Sequence, residues 1–133
     1  GVYKVGFAHN QEAYETAYNN LFYYLDQIEE RLSKSKYLFG DQLTDCDVRL
    51  YPTLARFDIV YYHLFRCNKK RLQDYPNLWR YAKELYQIPE FKESTDFEFI
   101  KDSYYRSPHL KKLFGNTYSI LPKGPDTSLW NQQ

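Results

Sequence analysis

The chain has no methionine, two cysteines, five glycines and six prolines in 133 residues, and each shortage removes a class of protein. Cys46 and Cys67 are too few for the disulfide framework of a small secreted scaffold. Neither has a Cys-x-x-Cys partner or a histidine at zinc-ligand spacing, so no metal is expected and a reducing, cytoplasmic compartment fits. Without methionine, translation cannot have started at Gly1, and no signal-peptide pattern is visible, so the expectation is a chain that continues upstream. Long apolar runs are also missing. The stretch from Leu54 to Phe65 is broken by Arg56 and Asp58 and falls short of a membrane span. Basic residues number 18 against 17 acidic, a surplus too small to gather nucleic acid or anionic lipid. The remainder is 43% hydrophobic and 26% charged, the balance of a packed globular chain, and its length is that of one domain.

No alternation of a strand kind appears, and no repeat. The helical period appears instead. Tyr14, Tyr18, Leu21, Leu25, Ile28 and Leu32 fall at spacings of four and three, which predicts an amphipathic helix over 11–33 that packs on a core rather than a coiled-coil seam. After a Gly40-Asp41 turn, Leu43-Thr44-Asp45-Cys46-Asp47-Val48 has the form of a capping box. Thr44 is the N-cap whose hydroxyl accepts the Asp47 amide, and the Asp47 carboxylate reaches back to the Thr44 amide, with Leu43 and Val48 at the positions of a hydrophobic staple. The helix that follows is predicted over 45–65, with Val48, Tyr51, Leu54, Phe57, Tyr61 and Leu64 inward and a kink at Pro52. Further helices are predicted over 77–88, 90–94 and 97–105, opened by Pro76, by Pro89 and by a Thr95 or Asp96 cap. Over 107–133 the period is lost, and an extended tail with loose final residues is expected. The fold class is all-α.

Few residues look reactive. Cys46 stands in the first turn of a helix, where the dipole favours a thiolate, but Asp45 and Asp47 oppose it. Cys67 has Arg66, Lys69 and Lys70 nearby and no base beside it. His9, His63 and His109 share no metal spacing and no nucleophile. The run Asn68-Lys69-Lys70-Arg71 reads as a solvated loop, because no base-stacking motif accompanies it. Asp58, inside an apolar stretch, needs an arginine or backbone amides as a partner.

A long helix followed by a helix opened with Thr-x-x-Asp and a staple resembles the C-terminal helical domain of glutathione transferases. Gly1-Val2-Tyr3-Lys4-Val5-Gly6-Phe7-Ala8 carries the likeness further, as do Gly40-Asp41-Gln42-Leu43-Thr44 leading into Asp47-Val48-Arg49-Leu50, and Arg56-Phe57-Asp58-Ile59-Val60-Tyr61. With Asp74-Tyr75-Pro76-Asn77-Leu78 and Leu85-Tyr86-Gln87, these resemble the xi class, the glutathionyl-hydroquinone reductases. The likeness runs from Gly1 to about Arg106. Beyond it, family members carry a Ser-His step and an Asn-Pro-Thr-Gly stretch where this chain has Ser107-Pro108-His109 and Leu113-Phe114-Gly115-Asn116.

The resemblance implies a preceding thioredoxin-like domain that binds glutathione as cosubstrate and supplies a nucleophilic cysteine. No catalytic residue then falls in this chain, which alone would be inactive. It implies a homodimer formed largely through the helical domains, and an aromatic small-molecule substrate of the glutathionyl-hydroquinone type. It also implies that Tyr3, Tyr61 and Tyr104 contact that substrate, since a phenol both donates and accepts hydrogen bonds. The alternative is a transferase-like helical domain used as a non-catalytic protein-interaction module.

Overall fold

The computed structural model of the chain describes residues 1–108, 112, 115 and 120–132, and its named elements are all helical. His109, Leu113, Phe114 and Asn116 lie outside the described residues. The elements are α1 (Val2–Gly6), α2 (Gln11–Leu32), α3 (Asp45–Arg56) continued by a π-helical segment (Phe57–Tyr61), a 3-10 turn (Leu72–Asp74), α4 (Pro76–Tyr86), α5 (Pro89–Ser94), α6 (Phe97–Tyr105) and a last 3-10 turn (Thr127–Asn131). The short α1, which the sequence reading omitted, buries Val2 and Val5 against α2.

Helix α2 starts where the Asn10 side chain accepts the Ala13 amide at 2.8 Å. Its buried stripe is Ala17, Leu21, Phe22, Leu25 and Leu32, with Tyr14, Tyr18 and Ile28 at the margin. Leu78, Tyr81, Ala82 and Leu85 of α4 complete the centre with Leu54 and Phe57, each leucine or phenylalanine contributing about 1.5–3 kcal/mol when fully buried.

Three carboxylates fix how the helices meet. Glu29 of α2 accepts the Asn77 and Leu78 amides at 3.0 and 2.8 Å and the Asn77 side chain at 2.7 Å, so one helix caps the start of another. Asp58 accepts the Leu72 amide at 2.6 Å and the Gln73 amide at 3.4 Å, which supplies the backbone partners its position required. Asp47, completely buried, accepts the Thr44 amide at 2.8 Å, the Leu38 amide at 3.1 Å and the Tyr81 hydroxyl at 2.6 Å.

That last arrangement keeps the expected cap and corrects the expected inward face. The capping box forms, the Thr44 side chain taking the Asp47 amide and the Asp47 carboxylate the Thr44 amide, with the Thr44 hydroxyl also 3.3 Å from that carboxylate. Leu43 and Val48 remain 42% and 43% exposed, so Val48 is not an inward residue. The reason is the phase of the helix. With Asp47 drawn inward to Tyr81, the core face runs through 47, 51, 54 and 58, and Val48 is turned about 100° away from it.

Regular α geometry also stops earlier than predicted over 45–65. It ends at Arg56, and the Tyr62 amide bonds to the Phe57 carbonyl at 2.8 Å, five residues back. Near the other end the chain is anchored at Trp130. Trp130 is buried between Trp79, Tyr86 and Phe97, and the Gln87 side chain donates to its carbonyl at 3.3 Å.

Candidate functional site

Three elements distant in sequence bring Tyr3, Tyr61 and Tyr104 to one place. Tyr3 comes from α1, Tyr61 closes the π segment, and Tyr104 is the penultimate residue of α6. The Tyr3 and Tyr104 hydroxyl oxygens lie 2.8 Å apart, and those of Tyr61 and Tyr104 lie 3.3 Å apart, so Tyr104 is the shared partner. The rings meet edge to face, Tyr3 with Tyr61 at 5.8 Å and Tyr61 with Tyr104 at 6.0 Å.

The π segment explains how Tyr61 gets there. A π turn holds one residue more than an α turn and so rotates every following side chain, a device frequent at functional sites. Two bonds secure the result: the Tyr105 hydroxyl donates to the Ile59 carbonyl at 3.3 Å, and the Cys67 amide to the Tyr61 carbonyl at 3.0 Å.

Beneath the phenols lies a second aromatic group that the sequence reading did not single out. Phe65 stacks on Tyr61 at 5.1 Å and meets Tyr3 at 5.3 Å and Tyr104 at 6.4 Å. Phe7, 63% exposed, stacks on Tyr3 at 5.9 Å and leans on Phe65 at 5.5 Å. The available signals were the spacing of four between Tyr61 and Phe65 and the Gly6-Phe7 pair beside Tyr3.

Burial, and then the bonds to Tyr104 and Tyr3, hold the Tyr61 hydroxyl far above the usual phenol range. Tyr3 is raised first by its bond to Tyr104 and then by burial, against smaller opposing pulls from the Tyr61 hydroxyl and then Arg56. Both are neutral donors at physiological pH. The three hydroxyls bond one another, Tyr104 at 2.8 Å from Tyr3 and 3.3 Å from Tyr61, and Tyr3, 48% exposed, opens the group to solvent, where a phenol proton can turn to a bound oxygen. The cluster can therefore grip an oxygen on an aromatic ring and stabilise negative charge that develops there.

The other candidates are placed apart from this group. Cys67 is fully buried, its thiol pushed up to about 12 by that burial and directed at the Phe65 carbonyl at 3.8 Å. Cys46 is exposed and lines an open cleft of about 740 Å³ with Arg31 and Lys34. The Arg31 guanidinium donates to the Leu38 carbonyl at 3.1 Å, and Lys34 pairs with Glu30 at 3.6 Å. His9 and His63 are exposed. In the basic loop, Arg71 pairs with Asp74 at 2.9 Å and Lys70 lies 4.1 Å over the Tyr75 ring. Among the described residues no group of three or more His, Cys, Asp or Glu is placed to hold a metal, and no helix is long and apolar enough to cross a membrane.

Comparison with known proteins adds the context. The family profile described as glutathione S-transferase, C-terminal domain, matches residues 11–84. Glutathionyl-hydroquinone reductase YqjG of Escherichia coli is 46% identical over 107 residues, covering 80% of this chain and 33% of YqjG. Its glutathione-bound structure aligns with a TM-score of 0.86 at 42% identity, covering 94% of this chain and 39% of that one. Glutathionyl-hydroquinone reductase PcpF of Sphingobium chlorophenolicum is 44% identical over 126 residues, covering 94% of this chain and 39% of PcpF. The xi glutathione S-transferase of Phanerochaete chrysosporium aligns with a TM-score of 0.86 at 45% identity, covering 95% of this chain and 42% of that structure. The chain thus spans between a third and about two fifths of the length of these relatives.

Proposed function

We propose, from the premise that this chain belongs to the glutathione S-transferase family as its C-terminal helical domain, that it is the substrate-binding and dimerisation domain of an enzyme that reduces glutathionyl-hydroquinones. The observation that carries the reading is the convergence of the Tyr3, Tyr61 and Tyr104 hydroxyls above an aromatic floor. Glutathione is the cosubstrate. A phenol cluster suits a quinol ring oxygen better than the thiol and carboxylates of a tripeptide, so a preceding thioredoxin-like domain is assigned the glutathione site and the nucleophilic cysteine.

In this scheme the cysteine thiolate attacks the glutathionyl sulfur. The bond between sulfur and ring carbon breaks, its electron pair stays with the ring, and the ring takes a proton to become the free hydroquinone. A second glutathione then releases the first from the mixed disulfide as glutathione disulfide. The part played by this chain is to hold the ring oxygen with a phenol proton of the cluster, so that charge accumulating on the oxygen meets a donor already in place. Neutral phenols suit the task, since a phenolate would repel a developing quinolate.

The intact protein, given a glutathionyl-hydroquinone and glutathione, should release hydroquinone and glutathione disulfide in equal amounts. This chain alone should not, because Cys67 is buried as a thiol and Cys46 is flanked by Asp45 and Asp47, whose charge opposes a thiolate. Turnover by the chain alone, abolished by Cys46→Ser, would move the reactive thiol into this domain and overturn the assignment.

A further inference from the structure

Phenols that share hydroxyl bonds and ring edges still need a packed face to keep them in register, above all Tyr3, which stands half in solvent. Something must hold the rings. Among the described residues, Phe65 is the phenylalanine whose ring meets all three tyrosines, one by stacking and two by their edges. Its own place is set from three directions. A methyl group on Gly6 would lie 2.5 Å from the Phe65 Cγ and 2.8 and 2.9 Å from its two Cδ atoms, so the ring lies flush on the bare backbone of α1. On the other side its chain is turned sharply, with Arg66 at a φ of 59°, and the Tyr14 hydroxyl pins the Arg66 carbonyl at 2.7 Å. The third constraint is the π segment, which carries Tyr61 and ends four residues before Phe65.

We propose that Phe65, seated against Gly6, is a positioning residue that holds the Tyr3, Tyr61 and Tyr104 hydroxyls in the arrangement that receives the substrate oxygen. The proposal rests on the functional reading above for the identity of the substrate, but the arrangement itself is independent of it. Phe65 reaches the substrate only through the phenols. Its loss should therefore slow the chemical step, which depends on alignment, more than it weakens binding, which Phe7 and the tyrosine rings still supply.

The test uses the intact protein in four forms: wild type, Phe65→Leu, Gly6→Ala, and the double variant. Tyrosine labelled with ¹³C at Cζ reports the titration of each phenol, assigned by single Tyr→Phe variants, and steady-state turnover and unfolding midpoints are measured in parallel. Phe65→Leu should fold, lose about 10–100-fold in kcat with a smaller change in KM, and let Tyr3 and Tyr61 titrate closer to an ordinary phenol. Gly6→Ala should lower the unfolding midpoint and turnover together. Leucine keeps a Cγ and two Cδ carbons but, without the rigid ring, can turn them from the new methyl, so the double variant should regain part of the midpoint but not the turnover.

A folded Phe65→Leu protein with wild-type kcat and unchanged tyrosine titrations would overturn the proposal. So would lost turnover with unchanged titrations, which would place its effect elsewhere. If the titrations move as expected in a protein whose wild-type form does not turn over the thioether, the positioning role stands and the functional reading fails.

Discussion

Asp47→Ala removes the single carboxylate on which the start of α3, the preceding loop and α4 all converge, and its cost follows from the groups it abandons. The Tyr81 hydroxyl, in a ring with no exposed surface, loses its 2.6 Å acceptor, and an orphaned buried donor costs about 1–3 kcal/mol. The Thr44 amide and hydroxyl lose their cap, worth about 0.5–2 kcal/mol, and the Leu38 amide loses its partner too. The expected destabilisation is about 3–5 kcal/mol, the range for breaking a buried charged network. At roughly 4 °C per kcal/mol for a domain of this size, Tm should fall by about 12–20 °C. Urea unfolding followed by far-ultraviolet circular dichroism measures the loss. A companion substitution sharpens the reasoning. Tyr81→Phe should cost about 1–3 kcal/mol in the wild type, where it deletes a charge-assisted bond, but should be neutral or stabilising in Asp47→Ala, where it deletes an orphan. Equal costs in the two backgrounds would refute the network.

Two further outcomes are expected. Burial lifts Asp58 from 3.8 to about 6 despite the amides it accepts, so the folded state keeps a proton that the unfolded chain has released. The stability from that proton is fully present below about pH 4 and disappears as pH rises through 6, a loss of up to ~3 kcal/mol that Asp58→Asn should flatten in urea midpoints measured between pH 4 and 7. Lys101, 3% exposed, donates to the Pro122 and Lys123 carbonyls at 3.2 and 3.0 Å, so Lys101→Met should keep the packing of the stem yet speed protease cleavage within 120–125, and an unchanged cleavage rate would show that these bonds do not hold the segment.

How much of this was legible in the sequence depends on how local each cause is. The α2 stripe could be read because side chains three and four apart must share a face, and Asp96, one of the two caps expected for α6, takes the Phe99 amide at 3.1 Å. The phase of α3 was misread because its hydrophobic pattern pointed to Val48. The decisive residue was a buried acid whose partner, Tyr81, lies 34 residues on. The π segment has no side-chain signature, being a change of backbone register. The anchoring of Trp130 depends on Trp79, Tyr86 and Phe97, which no period connects to the tail. At the site, Tyr3, Tyr61 and Tyr104 were reached through family resemblance, and the structure adds their convergence. Phe65 and Gly6 were missed because their contact is a tertiary fit between a ring and a missing side chain.

The central claim is that the converged phenols stabilise charge on a substrate oxygen, and Tyr104, the partner common to the other two, tests it most directly. In the intact protein, kcat/KM for a glutathionyl-hydroquinone should be compared between wild type, Tyr104→Phe, and Tyr23→Phe, whose exposed ring stands on α2 outside the cluster. Tyr104→Phe should keep its fold and lose about 10²-fold, as a deleted oxyanion donor does, while Tyr23→Phe stays at the wild-type value. A fully active Tyr104→Phe enzyme would contradict the account.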